Sequence, residues 1–245
     1  MIFLKLLDLH THVLPGLDDG ADSLETALGM LRNAAASHVL ALAATPHCNN
    51  PHFAGNYYDE NLLASLRALR LAAEQAEIPV KILAGMEVRV NDDLPPLLTG
   101  GKVLTLNGSR YLLTEFAPDA PASYCEKMLR LILSHGLVPL IAHPERYATV
   151  WQNPEQTRCW LDLGCHLQLT GGSILGKFGK DAWKASDYLI RNDLVACVAS
   201  DAHGLHYRTN RLNHVYDHLA LHTSPAYAQM LLWENPLRIC GNEDL

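Results

Sequence analysis

Seven short apolar runs, each followed by a longer amphipathic stretch, limit what this 245-residue chain can fold into more than any other feature. The runs are "FLKLLDL", "VLALAAT", "VKILAGM", "RYLLTEF", "LVPLIA", "CHLQLT" and "LVACVAS". Segments of this length and composition fit strands buried on both faces, and the stretches between them fit crossover helices. Such alternation is the pattern of βα units around a parallel sheet. In "DSLETALGMLRNAAASH" the spacing predicts a helix with Asp22 and Glu25 as a capping box and Leu24, Leu28 and Leu31 on one face. Further helices are expected in "NLLASLRALRLAAEQAE", "ASYCEKMLRLILSHG" and "KDAWKASDYLIRND". About half the residues are apolar and no Ser/Gly/Pro linker divides the chain, so one α/β domain over residues 1–245 is expected.

The residues at the end of each run carry the chemistry. The first run leads into His10 and His12, the second into "TPH" and His47, and the third into Glu87. The fourth carries Glu115, the fifth ends at His143, and the seventh ends at Asp201 and His203. Side chains repeat every two residues along a strand, so His10 and His12 project from one face and converge. A single strand-end histidine is more often a hydrogen-bonded structural residue. Ligand-type side chains at the same relative position of six of the seven strands are hard to explain by packing, and near-buried carboxylates are costly without a cation. In a parallel α/β barrel the C-terminal strand ends form one face, where residues from opposite ends of the chain can meet. The reading is therefore a metal cluster assembled by the whole chain. Asp18 and Asp19 in "GLDDG" sit in a turn where carboxylates commonly cap backbone amides, and Asp19 is preferred as the ligand.

A formal net charge of −7 argues against a broad nucleic-acid or anionic-membrane surface. The six cysteines (Cys48, Cys125, Cys159, Cys165, Cys197 and Cys240) include no C-x-x-C pair, so they read as buried free thiols rather than a zinc site or disulfide framework. The opening "MIFLKLL" is too short for a signal sequence and no later apolar run reaches membrane-spanning length, so a cytoplasmic protein without membrane insertion is expected. His214, His218 and His222 share one helix face but lack a third ligand type nearby, and read as solvated.

The stretches "DLHTHVLPGLDDGADS", "ATPH", "GMEV", "RYLLTEF", "PLIAHPERY", "GSILGKFG", "ASDAH" and "ENPLRI" together resemble the CpsB/CapC family of bacterial metal-dependent protein-tyrosine phosphatases, within the PHP (polymerase and histidinol phosphatase) superfamily. The resemblance covers nearly the whole chain and implies a distorted (β/α)7, TIM-like barrel. By position it implies one metal ion on His10, His12, Glu87 and Asp201, with Glu87 bridging to a second held by Glu115 and His143. Asp19, His47 and His203 would hold a third. Arg146 in "HPERY" matches the family's phosphate-side arginine and Arg208 stands where a second is expected; with Asp19 they form the implied catalytic set. The family usually continues that second arginine with Pro-Pro, whereas this chain reads "HYRTNRL", which leaves Arg211 a rival to Arg208.

Nine candidate ligands exceed the coordination of one ion. Four carboxylates against three divalent cations leave roughly +2, and two arginines raise that to about +4, a balance suited to a phosphate dianion. The implied activity is metal-dependent hydrolysis of phosphotyrosine in proteins by a metal-bridging hydroxide, with no cysteinyl intermediate. The implied substrate is the tail of an autophosphorylated bacterial tyrosine kinase controlling capsule or exopolysaccharide synthesis. Imidazole and carboxylate ligands without thiolates suit Mn, Fe or Zn, and the resemblance favours Mn2+. Two alternatives stand beside this: a small-molecule phosphatase of the histidinol-phosphate type, and a non-catalytic metal-bound partner of polysaccharide assembly.

Overall fold

The computed structural model describes residues 4–53 and 55–245. In chain order its first half contains β1 (Leu6–Thr11), α1 (Leu24–Ala36), β2 (Val39–Ala44), β3 (His47–Cys48), α2 (Glu60–Gln75), β4 (Lys81–Ala84), β5 (Glu87–Arg89) and α3 (Leu94–Thr99). It continues with β6 (Tyr111–Glu115), α4 (Ala122–Ser134), β7 (Val138–Ala142), α5 (Ala148–Gln152), α6 (Gln156–Asp162) and β8 (His166–Thr170). The last part holds α7 (Gly171–Ile174), α8 (Lys180–Arg191), β9 (Cys197–Ala199), α9 (Asn213–His222), α10 (Pro225–Gln229) and α11 (Asn235–Cys240).

The strands form two sheets, β1-β2-β4 and β3-β5-β6-β7-β8-β9, and every pairing is parallel. Two of the seven expected strands are broken. "VLALAAT" ends at β2 and the chain re-enters the second sheet as β3 after Pro46, which has no N–H to continue a ladder. "VKILAGM" stops at β4 and resumes as β5 beyond Gly85, where a Cβ would stand only 3.0 Å from Leu106 and 3.1 Å from Thr45. The break turns the outer segments so that His47 and Glu87 lie side by side in register. Phe3, at the start of the first expected strand, lies outside the described residues; β1 starts at Leu6 and continues through His10 to Thr11.

The end of β1 also bonds to the chain beyond β9. Asp201 N donates to His10 O and His12 N donates to Ala202 O, both at 2.9 Å. Behind them the fully buried Asp8 accepts from Ser200 N at 2.9 Å, and its burial pushes the carboxyl up to about 6. The first and last strands are thereby tied where His10, His12 and Asp201 stand.

Alternate residues of the strands fill a common interior: Leu7 and Leu9, Ala43, Leu83, Tyr111 and Leu113, Leu140 and Ala142, and Cys197, closed below by Ile239. The other strand faces pack on the helices in a second, larger cluster reaching from Leu6 to Leu232. Burial on both faces is why these strands read as continuous apolar runs rather than alternating ones. The cap of α1 falls one residue later than expected: Ser23 accepts from Thr26 N, while Asp22 takes the Thr26 hydroxyl. Ala27, Met30, Leu31 and Ala34 form the buried face and Leu24 is exposed, because the helix begins a step later than a box on Asp22 requires. Among the described residues, no helix is long and apolar enough to cross a membrane.

Candidate metal centre

The nine side chains singled out from the sequence meet at one face of the sheets, from the ends of β1, β6, β7 and β9, the starts of β3 and β5, and the turn that holds Asp19. They fall into four overlapping groups whose ligand atoms lie within 4.8 Å of one another: His12, Asp19, His47 and His203; His10, His12 and Asp201; His10, Glu87 and His143; His47, Glu87 and Glu115. Glu115 thus groups with His47 rather than with His143. Glu87 is the hub. Its Oε2 lies 3.2 Å from His10 Nε2, 3.3 Å from His12 Nε2 and 3.0 Å from His47 Nδ1, and its Oε1 accepts from His143 Nε2 at 2.8 Å. Asp201 Oδ1 stands 3.5 Å from the Nε2 atoms of both His10 and His12.

Orientation of His10 and His12 comes from residues that the spacing did not single out as ligands, and that of His203 from the backbone carbonyl of Asp201. His10 Nδ1 donates to Gln168 Oε1 at 2.9 Å, His12 Nδ1 to Asp18 Oδ2 at 2.7 Å and His203 Nδ1 to Asp201 O at 3.0 Å. Oxygen acceptors of these kinds require a proton on Nδ1, so all three rings present Nε2 to the interior of the cluster. Asp18 also accepts from the backbone of Gly20 and His47, so it holds the "GLDDG" turn and the His12 ring together. Gln168 belongs to β8, formed by the one of the seven expected runs that leads to no ligand; its only sequence signal is a buried polar residue inside an apolar run. Arg89 pairs with Glu115 at 3.2 Å, and Phe53 stacks on His47 with its ring centroid 5.3 Å away.

This donor set fits divalent cations. The Nε2 atoms of His10 and His12 lie 3.2 Å apart and face the same carboxylate oxygen, so in neutral rings lone pairs would oppose lone pairs. Glu87 Oε2, His47 Nδ1 and His203 Nε2 are buried without a hydrogen-bond partner among the described residues. Burial would raise the Glu87 and Asp201 carboxyls, but nearby His10, joined by His47 at Glu87 and Arg208 at Asp201, holds both well below the usual range. Burial likewise opposes protonation of His12, and the Asp18 carboxylate outweighs it, pushing the ring well up. The cluster demands positive charge, which metal ions of mixed N/O preference supply.

Arg146 and Arg208 flank it. Arg146 Nη1 and Arg208 Nη2 both donate to Asp201 Oδ2, at 2.7 and 2.6 Å. The Phe178 ring stands against both guanidiniums, 4.9 Å from Arg146 and 5.8 Å from Arg208. Arg211 instead points to Asn33 Oδ1 at 3.1 Å. His143, Asp201 and Arg208 all adopt left-handed backbone angles, with φ of 37°, 51° and 51°. Non-glycine residues rarely do so, and such strain concentrates where geometry must be held for function.

Gly20 is equally constrained, since a Cβ there would lie 2.0 Å from His12 O. Gly20→Ala is expected to cost about 2 kcal/mol and lower the melting temperature by roughly 4–8 °C, read by thermal denaturation. Cys48, next to His47 in β3, belongs to the core, and burial pushes its thiol up to about 12. A thiol so held is a poor nucleophile at neutral pH. Cys48→Ser is expected to leave turnover within about threefold of the parent in a steady-state phosphatase assay; loss of activity in step with its modification would revive covalent catalysis. The His218 and His222 rings lie 4.3 Å apart, tilted by 43°, on α9, outside all four groups.

Comparison with known proteins decides the family. The model for "Capsular polysaccharide synthesis, CpsB/CapC" matches residues 6–241. The chain belongs to the CpsB/CapC family. Tyrosine-protein phosphatase YwqE of Bacillus subtilis is 34% identical over 210 residues, 83% of this chain and 79% of that one. Tyrosine-protein phosphatase CpsB of Streptococcus pneumoniae is 29% identical over 239 residues, 96% of this chain and 98% of that one. A solved structure from work on YwqE and CpsB, described as unique metal-dependent tyrosine phosphatases, superposes with a TM-score of 0.90 at 30% identity, covering 97% of this chain and 95% of that one. The Escherichia coli phosphotriesterase homology protein, solved with phosphate in its active site, shares the fold alone: 11% identity and a TM-score of 0.60, over 96% of this chain and 98% of that one. The family's α/β architecture of parallel sheets is thus the one described above.

Proposed function

We propose that this CpsB/CapC member is a metal-dependent protein-tyrosine phosphatase and that its two sheets act as one distorted (β/α)7 barrel. The shared interior and the bonds between β1 and the chain after β9 support the barrel reading. The observation that carries the function is the pair of arginines meeting on Asp201 at the rim of a nine-residue cluster.

By the family resemblance His10, His12, Glu87 and Asp201 would hold one ion and Glu87, Glu115 and His143 a second, and the grouping of Glu115 with His47 and Glu87 would bring His47 to that second ion as well. Asp19, His47 and His203 would hold a third; the ligand types suit Mn, Fe or Zn, and the family resemblance favours Mn2+. Such ions acidify water and draw charge from phosphoryl oxygens. The chain's own groups do the rest. Arg146 and Arg208 offer guanidinium N–H groups to the non-bridging oxygens of an incoming phosphate, and the Phe178 ring lies beside both guanidiniums. Gln168 and Asp18 fix the ring orientations of His10 and His12.

The rim favours a protein substrate. Asp19 is 48% exposed and Arg146 30%, so an exposed phosphotyrosine can reach the cluster without a lid. A phenolate leaving group has an ordinary pKa near 10, which lessens the need for a strong general acid. The relatives' capsule-related names support a tyrosine kinase of polysaccharide assembly as the physiological partner. Protein reconstituted with manganese is expected to hydrolyse a phosphotyrosyl peptide at least tenfold more efficiently than histidinol phosphate, with elemental analysis giving about three ions per chain. The reverse preference would favour the small-molecule reading, and no turnover with a full metal complement would favour the non-catalytic one.

A further inference from the structure

A small cleft of about 50 Å³ opens beside Arg208, walled by Phe178, Tyr207, Leu212 and Val215 and carrying Lys177, Arg211 and His214. A neighbouring hollow shares Lys177, Thr209, Arg211 and His214 and adds His206. Neither is lined by an Asp or Glu, although acidic residues outnumber basic ones 26 to 19 in the chain. Lys177 and Arg211 are exposed, and among the described residues neither forms an ion pair. The cleft begins at the reacting centre, since Arg208 and Ser200 line it and Arg208 also bonds Asp201. It is a local reserve of positive charge in an acidic protein, continuous with the site.

From this charge complementarity we propose that the cleft is a second subsite, which takes acidic side chains flanking the phosphotyrosine of the substrate protein. The inference rests on the phosphotyrosine reading above. Consecutive residues of an extended peptide advance about 3.3–3.6 Å, so a carboxylate one or two positions from the phosphotyrosine can follow the wall from Arg208 toward Lys177 and Arg211. These cations touch no reacting atom, so they act on substrate binding and the preference falls on KM rather than kcat. The surrounding negative charge sharpens the selection, because an acidic segment docked elsewhere on the rim meets repulsion.

The test uses two phosphotyrosyl peptides that differ only in carrying two Glu or two Gln beside the phosphotyrosine, with metal-loaded protein at low ionic strength. The wild type is expected to prefer the Glu peptide by roughly tenfold in kcat/KM, mostly through KM, with the ratio falling toward one in about 0.5 M salt. In Lys177→Gln/Arg211→Gln the ratio should shrink to about two, and in Lys177→Glu/Arg211→Glu it should reach one or invert. Melting temperatures of both variants check that the fold is kept, and the milder Gln pair stands should the reversal not fold. Equal hydrolysis of the two peptides by the wild type, or a ratio that neither variant moves, overturns the subsite and leaves the phosphatase reading intact. Failure to hydrolyse either peptide overturns both.

Discussion

Replacing Glu87 by Gln is expected to lower phosphatase activity by at least two orders of magnitude and to reduce bound metal in the same preparation. Both Glu87 oxygens are engaged with imidazoles, Oε2 with His10, His12 and His47 and Oε1 with His143, in a position only 1% exposed. Glutamine keeps the shape but removes the charge and puts an amide NH2, which cannot ligate a cation, where one carboxylate oxygen stood. No other carboxylate belongs to two of the four groups, so none can substitute for it. A hundredfold loss corresponds to about 2.7 kcal/mol of transition-state stabilisation, within the range for a lost electrostatic contact. Metal stoichiometry by elemental analysis, kcat/KM on a phosphotyrosyl peptide and melting temperature are measured together. Full activity with unchanged stoichiometry would remove Glu87 from the centre.

Arg146→Ala separates phosphate chemistry from metal binding. Its guanidinium bonds Asp201 Oδ2, while Oδ1 of the same carboxylate faces His10 and His12, so metal content should hardly change. Loss of a charge-assisted contact to the transition state costs about 3–4 kcal/mol, so kcat/KM should fall by roughly two to three orders of magnitude. Arg146 does not pair with the adjacent Glu145. Glu145 is fully buried and turned away, its Oε1 accepting from Thr170 N at 2.9 Å, and burial pushes its carboxyl up to about 7. Arg208 remains on Asp201 in the variant, which keeps that carboxylate partnered and limits the stability loss. Near-normal turnover with intact metals would take Arg146 out of the site.

The chain announced its βα order and the nine chemistry-bearing side chains because both are local properties. Strand and helix periods are written in consecutive residues, and His, Asp and Glu at run ends are visible one run at a time. Three features needed tertiary structure. The strands carrying His47 and Glu87 break and change sheets, since a proline without a ladder N–H and a glycine crowded by Leu106 and Thr45 act only when neighbours are in place. Gln168 and Asp18 orient His10 and His12 across 158 and 6 positions of chain, and no spacing rule relates a histidine to the oxygen that holds its far nitrogen. The sequence also left Arg208 and Arg211 as rivals. The left-handed turn at Arg208, held by His203 N donating to Arg208 O at 2.8 Å, sends the first to Asp201 and the second to Asn33. Residue type and period determined which side chains could serve. Backbone angles and long-range hydrogen bonds, which exist only once the chain has closed on itself, decided where each one points.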